Sequence, residues 1–209
     1  MMASGNFDDA ARIWNERFSG PEFVFGIQPN TYLARQAHLL GPGRRALAVA
    51  DGEGRNSVWL ARQGLQVDAF DISSVGVDKA RRLAQEAGVD VNYQVSDCEA
   101  WQWEEGAYDL VAAIFIQFAG PSMRSRLFAR MREALRPGGL LILQGYTPKQ
   151  LEFGTGGPGI LDNLYTEELL RTEFASLELL ELRAYEAVLQ EGARHAGPSA
   201  LIGMVARRP

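Results

Sequence analysis

Apolar positions along this chain of 209 residues keep two alternating rhythms. The run of small and β-branched residues at 46–50 reads as a buried strand, and further strands are expected at 66–70, 91–95, 108–114 and 140–146. Between them the apolar residues recur at helical spacing, over 55–63, 74–87 and 121–136. The last of these shows the period plainly, with Met123, Leu127, Met131 and Leu135 on one stripe. Ahead of the first strand the pattern predicts a helix from Asp8 to Phe18, a Gly- and Pro-containing loop through Asn30, and a second helix from Thr31 to Leu40. Asn30 serves there as N-cap, and Gly41 to Gly43 stop the helix. Strands alternating with helices imply right-handed crossovers and a mainly parallel sheet.

The end of the chain breaks the alternation. After the Gly-rich loop Phe153 to Gly159 and a short helix near Thr166 to Phe174, two apolar stretches at 177–189 and 199–206 are separated only by EGARHAGP. So short a link cannot make a parallel crossover, so the two stretches pair as an antiparallel hairpin. The expected architecture is a three-layer α/β fold with a seven-stranded mixed sheet. It forms one domain over 1–209, with an N-terminal helical lid at 1–43 and a Rossmann-like core at 44–209.

Composition narrows the function classes. The formal net charge is -5, the wrong sign for a surface that binds nucleic acid through its phosphates. The arginines between Arg124 and Arg136 fit the solvent side of the helix whose other face is the apolar stripe. One cysteine and two histidines exclude a Cys/His metal site and an intrachain disulfide. The run Leu110 to Ile116 is far short of the roughly 20 residues that span a bilayer. The N-terminus has no secretory pattern, so the expected setting is the cytoplasm and the expected partner a small molecule, on a monomer or weak homodimer.

Candidate chemistry gathers where strands end. AVADGEGRN runs from the first strand into a helix through Gly52 and Gly54, which permit a tight turn near a ligand. Asp71 closes the second strand 19 positions after Gly52, the spacing at which a carboxylate meets both hydroxyls of a ribose. Asp97 follows the third strand, positioned to accept an exocyclic amine while the Cys98 amide faces the ring. Together these describe a nucleoside pocket. A dinucleotide would set its pyrophosphate on the helix N-terminus. Here Asp51 and Glu53 occupy that turn, and the sixth position of G-x-G-x-x-G is Ser57. The charge pattern favours a cationic, phosphate-free cofactor such as S-adenosylmethionine, with a NAD-dependent reductase and a non-catalytic binder as the alternatives.

The stretches WNERFSGPEFVFGIQPN, GEGRNSVWLARQG, VDAFDIS, YDLVAAIF, LRPGGLLILQGY and EGARHAG carry a resemblance to the class I S-adenosylmethionine-dependent methyltransferases. Within these, the chain resembles the small tellurite-resistance and thiopurine-methyltransferase-like proteins. The resemblance implies that Gly52 and Gly54 admit the methionine part, with Asn56 beside them. It also implies that Asp71 holds the ribose, Ile72 packs on adenine, Asp97 and Cys98 read its edge, and Phe115 lies near the cofactor. The superfamily pattern D-x-G-x-G-x-G falls on Ala48, Ala50, Gly52 and Gly54, so its acid and first glycine are replaced. Asp51 is the candidate for the ammonium group. Relatives often carry histidine where this chain has Gln117. The end of the fourth strand, IFIQF, lacks the Asn/Asp-Pro-Pro-aromatic signature of nitrogen methylation, which counts against DNA bases.

Methyl transfer from a sulfonium gains from alignment and exclusion of water. A thiol or chalcogen acceptor needs little further help, whereas a hydroxyl or ammonium needs a general base. The candidates for such a group are His195, Gln117 and Tyr146. His195 is placed over the substrate side if the strand at 177–189 runs parallel to the first five. Trp14, Phe18, Phe23 and Phe25 supply a lid or the packed face of a docked helix, and the loop Gly154 to Gly159 supplies a second gate.

Overall fold

A computed structural model describes residues 5–192 and 195–209, with side chains from Asp9 onward. Seven strands form one sheet: β1 (Arg45–Val49), β2 (Gln66–Asp71), β3 (Asn92–Val95), β4 (Tyr108–Ile114), β5 (Leu135–Tyr146), β6 (Glu178–Glu191) and β7 (His195–Arg207). Their order is β3-β2-β1-β4-β5-β7-β6. The first five strands pair in parallel, while β7 runs antiparallel to both neighbours. β6 therefore runs the same way as β1–β5, and the hairpin turns at their carboxyl edge. Of its tip, EGARHAG, the two residues Ala193 and Arg194 lie outside the described residues.

The sheet is covered on both faces, which gives the expected three layers. On one face α2 (Thr31–Arg35) and α3 (Arg55–Arg62) pack with Leu60, Leu110, Ile142 and Val205. On the other, α5 (Pro121–Ala134) and α7 (Glu167–Glu173) enclose Phe70, Val111, Phe128, Met131, Leu143 and Phe174. α1 (Gly5–Phe18) docks on α4 (Ser74–Ala87): the Asn15 carboxamide oxygen accepts from Ser73 Oγ at 2.7 Å and from the Val75 amide at 3.3 Å. α6 (Gln150–Phe153) is a single turn against β7, in a stretch where no helix was expected.

Several boundaries differ from the sequence expectation: α1 starts at Gly5, and the hairpin strands run further toward their tip, β6 to Glu191 and β7 from His195. The helix expected over Thr31–Leu40 stops at Arg35 and resumes as a 3₁₀ turn at Ala37–Leu39, because Gln36 leaves helical geometry. α5 ends at Ala134, and β5 starts at Leu135 since Tyr108 pairs with it before the register shifts. The arginines of 124–136 are not all on the wet side. Arg124 is buried and donates to the Asp162 carbonyl, so it ties α5 to the loop before α7.

Candidate active site at the carboxyl edge

β1 lies at the centre of the sheet, with β2 on one side and β4 on the other. The chain leaves β1 and β4 in opposite directions, opening a crevice at their carboxyl ends. Two non-glycine residues among those described have left-handed backbone, and both sit here: Ala50 after β1, φ 49°, and Phe115 after β4, φ 56°. Ala50 replaces the family's first glycine, yet its backbone keeps the conformation that glycine adopts freely. Strain at such positions clusters at functional sites.

The glycines of the turn do different work. A Cβ on Gly52 would meet only the Phe18 ring, at 3.5 Å, whereas one on Gly54 would lie 2.7–2.9 Å from Ala80 and Tyr93 Oη. Gly54 is thus required by the close approach of α4. The carboxylate of Asp71 is buried and accepts the Gly52 amide on one oxygen and the Ser73 amide on the other, at 2.8 and 2.9 Å. A carboxylate oxygen accepts more than one hydrogen bond, so both retain capacity for hydroxyls. Burial pushes the Asp71 carboxyl up to about 6. Ile72 follows it, half-buried. Asp97 accepts the Glu99 and Ala100 amides on Oδ1, at 2.6 and 2.8 Å. No hydrogen bond from a described residue reaches its Oδ2. Cys98 is buried, and burial drives its thiol up to about 12, so it is an uncharged wall residue.

Asp51 and Glu53 part company. Asp51 caps α3, taking the Ser57 amide at 3.3 Å and the Ser57 hydroxyl, and burial pushes it up to about 7. Glu53 turns away from the turn's ligand side. It pairs with Lys79 at 2.6 Å and accepts the Val24 amide at 2.8 Å. Lys79 Nζ also donates to the carbonyls of Phe18, Gly20 and Glu22 at 3.2, 3.0 and 2.6 Å, so this buried pair shapes the loop leading to Phe25. The sequence expectation that both acids line the turn is corrected: Glu53 has an internal counterion. Asn56 is likewise turned to the segment before α2, its side-chain oxygen accepting the Asn30 amide at 2.9 Å.

Across the crevice from the glycine turn lies an aromatic enclosure. His195, 8% exposed, meets the edge or face of Phe25 at 4.7 Å and Phe115 at 4.3 Å between ring centroids. Its Nδ1 lies 3.2 Å from the Tyr146 hydroxyl, and Tyr146 stacks on Phe115 at 4.7 Å. Burial first, then the charge of Arg55, hold the imidazole down to about 4. Gln117 is not part of this group. Its amide donates to the Tyr146 and Asn163 carbonyls and accepts the Tyr146 amide at 2.6 Å, so its side chain is spent on joining strand ends. Phe18 is the packed face of α1, buried beneath Gly52 and Gly76, while the Phe25 ring lies against His195. Trp14 packs on Phe18 at 5.3 Å, and Phe23 lies beneath Lys79 Nζ at 5.1 Å.

Two contacts that need glycine hold the roof. A Cβ on Gly192 would come within 2.5 Å of Phe25 backbone, and one on Gly157 within 2.7 Å of the Tyr146 ring. A buried polar network ties the Asn30–Thr31 segment and the start of α3 to the hairpin. Glu191 pairs with Arg55 at 2.8 Å and accepts from Asn30 Nδ2 and the Thr31 amide, while Asn30 Nδ2 also reaches Gln144 Oε1 at 2.6 Å. Sequence reasoning named Asn30 as an N-cap and left Arg55, Glu191 and Gln144 unassigned. A polar residue inside an apolar strand, as Gln144 is in LLILQGY, is the signal that could have found it.

A family model described as methyltransferase domain matches residues 46–139. Over 161 residues the chain is 33% identical to the tRNA 5-carboxymethoxyuridine methyltransferase of Escherichia coli (strain K12), a match covering 69% of this chain and 58% of that protein, under two thirds of its length. The structure resembles TehB from Haemophilus influenzae, with a TM-score of 0.70 at 15% identity over 95% of this chain and 67% of that one. It also resembles N-methyltransferase NodS from Bradyrhizobium japonicum WM9 in complex with S-adenosyl-l-homocysteine, with a TM-score of 0.74 at 14% identity over 97% of this chain and all of that one. These matches displace the nicotinamide reading of the same sheet. Residues 46–139, under half of the chain, match the methyltransferase-domain family, and the sheet order and glycine turn are those expected of the class I S-adenosylmethionine-dependent methyltransferases that the sequence resembles.

Proposed function

We propose that this chain transfers a methyl group from S-adenosylmethionine to a small-molecule acceptor, with a thiol or other chalcogen as the favoured class. The donor set suits the nucleoside: Asp71 with lone pairs left for ribose hydroxyls, Ile72 beside it for adenine, and Asp97 Oδ2 and the Cys98 amide for the adenine edge. Asp51 would face the ammonium group from the turn, and Gly52 leaves that approach open. When bound, the cofactor supplies an electrophilic methyl on a sulfonium sulfur.

The observation that carries the acceptor class is the enclosure of Phe25, Phe115, Tyr146 and His195. These rings exclude water and offer no strong base: an imidazole held near 4 is uncharged at neutral pH but takes up a proton weakly. Burial also raises the Tyr146 hydroxyl, so it donates a hydrogen bond and is no phenolate. Such a site serves a polarisable nucleophile that needs alignment more than proton transfer. His195 and Tyr146 then orient the acceptor. A net charge of -5 speaks for a small acceptor over a polyanion.

The test is formation of S-adenosylhomocysteine from S-adenosylmethionine with a panel of alkyl and aryl thiols, selenide and tellurite. Saturable turnover on a thiol or chalcogen supports the proposal. Tight cofactor binding with no turnover on the panel would leave a non-catalytic binder as the reading.

A further inference from the structure

We infer that Arg55 recognises a negative charge on the methyl acceptor, so that a thiol or chalcogenol enters the site as its anion. The inference rests on the methyl-transfer reading above and names the form in which that acceptor is bound. Arg55 is the first residue of α3, directly after the glycine turn, and its side chain is 7% exposed. Its Nη1 lies 2.8 Å from Glu191 Oε2 and donates to the Phe25 carbonyl at 3.4 Å. Phe25 is the residue whose ring stands edge-on to His195, so the guanidinium borders the aromatic enclosure.

The rest of the guanidinium is uncommitted. Among the described residues no acceptor takes a hydrogen bond from Nε or Nη2. Neither is among the sealed polar atoms without a partner, which are Trp101 Nε1, Arg124 Nε and Tyr165 Oη. No described residue therefore seals or claims this edge of the guanidinium, and the side chain keeps 7% of its surface exposed. Glu191 does not depend on Arg55 for its place, because Asn30 Nδ2 and the Thr31 amide also hold its carboxylate. A buried cation whose counterion is anchored elsewhere, with one edge of its fork free, is suited to a second anion.

Among the described residues, the charged and titratable groups that couple to Arg55 here are Glu191 on β6, Asp51 on the glycine turn, Tyr146 on β5 and His195 on β7. None of these four supplies a positive charge at neutral pH, so Arg55 is the group there that can favour an ionised acceptor. A thiol beside a guanidinium ionises at lower pH. Its proton leaves to solvent before the reaction, which removes the need for the base that the enclosure does not provide.

Thiocyanate, a soft anion that stays ionised at every working pH, is the probe, and with S-adenosylhomocysteine in place no methyl donor is present to consume it. It is titrated calorimetrically into protein saturated with S-adenosylhomocysteine, comparing wild type, Glu191→Gln and the double variant Arg55→Gln/Glu191→Gln. The double variant removes the pair together and strands no buried carboxylate. Glu191→Gln should bind thiocyanate several-fold more tightly than wild type, and the double variant about tenfold or more weakly than Glu191→Gln, with equal affinity for S-adenosylhomocysteine in both. Arg55→Lys/Glu191→Gln should recover part of the loss. Equal thiocyanate affinity in Glu191→Gln and the double variant overturns the inference, as does a loss confined to S-adenosylhomocysteine, which would place Arg55 on the cofactor. Thiocyanate binding that follows Arg55 in a protein that methylates no thiol supports the anion site and defeats the methyl-transfer reading alone.

Discussion

Replacing each glycine of the turn by alanine separates the two tasks that a single G-x-G reading merges. At Gly54 the new Cβ would lie 2.7 Å from Ala80 Cβ, 2.8 Å from Ala80 Cα and 2.9 Å from Tyr93 Oη, with φ at 92°. Left-handed backbone costs a residue with a Cβ about 1–2 kcal/mol. Overpacking against a helix backbone adds about 1–3 kcal/mol, for a total of roughly 2–5 kcal/mol. In a chain of this size each kcal/mol moves the melting temperature by about 2–4 °C, so Gly54→Ala should melt roughly 4–20 °C below wild type. At Gly52 the backbone cost is similar, but the Cβ meets only Phe18 at ordinary contact distance. Gly52→Ala should therefore lose about 2–8 °C, and its larger defect should be in binding S-adenosylhomocysteine. Thermal unfolding without ligand, followed by calorimetric titration, reads both. Equal melting points for the two variants, or a Gly54→Ala protein as stable as wild type, would refute the reasoning that α4, and not a ligand, excludes a side chain at Gly54.

Ala50→Gly should raise the melting temperature by about 1–3 °C, since it relieves left-handed strain at φ 49° at a smaller cost in unfolded-chain entropy. A drop would show that the alanine methyl makes packing contacts worth more than the strain. Lys79→Met leaves Glu53 buried without a counterion and should destabilise by about 3–5 kcal/mol, with partial recovery in Lys79→Met/Glu53→Gln, read by urea denaturation. Binding of S-adenosylhomocysteine should tighten with rising pH. Burial lifts Asp51 to about 7, well above the ordinary carboxylate range, so a cationic ammonium meets an ionised partner above that pH and a protonated one below it. One such group predicts about a tenfold gain in affinity between pH 6 and pH 8, and Asp51→Asn should flatten that slope.

The strand and helix rhythm was legible because the central strands β1 and β4 and the second half of β5 are buried on both faces and appear as nearly unbroken apolar runs, as at Leu110 to Ile114. The hairpin was legible from the shortness of EGARHAGP alone. Asp71 and Asp97 were recoverable because strand ends in such a sheet converge on one edge. What escaped was the direction in which polar side chains turn. Glu53 and Asp51 are two residues apart and equally acidic, yet one is claimed by Lys79, 26 residues away, and the other by Ser57. Gln117 looked like a substitute for a histidine, but Gly145 and the Tyr146 backbone absorb it. The Arg55–Glu191 pair joins residues at opposite ends of the chain, and no local pattern announces it. α2 ended early at Gln36 although its apolar spacing continued to Leu40, since a tail packed on a 3₁₀ turn satisfies the same periodicity.

Calorimetric titration of S-adenosylhomocysteine and of NADH into wild type and Asp71→Ala tests the central claim most directly. The account predicts saturable 1:1 binding of S-adenosylhomocysteine to wild type, a loss of about a hundredfold or more in Asp71→Ala from two lost charge-assisted hydrogen bonds, and no binding of NADH. Binding of NADH, or affinity for S-adenosylhomocysteine that is indifferent to Asp71, would contradict it.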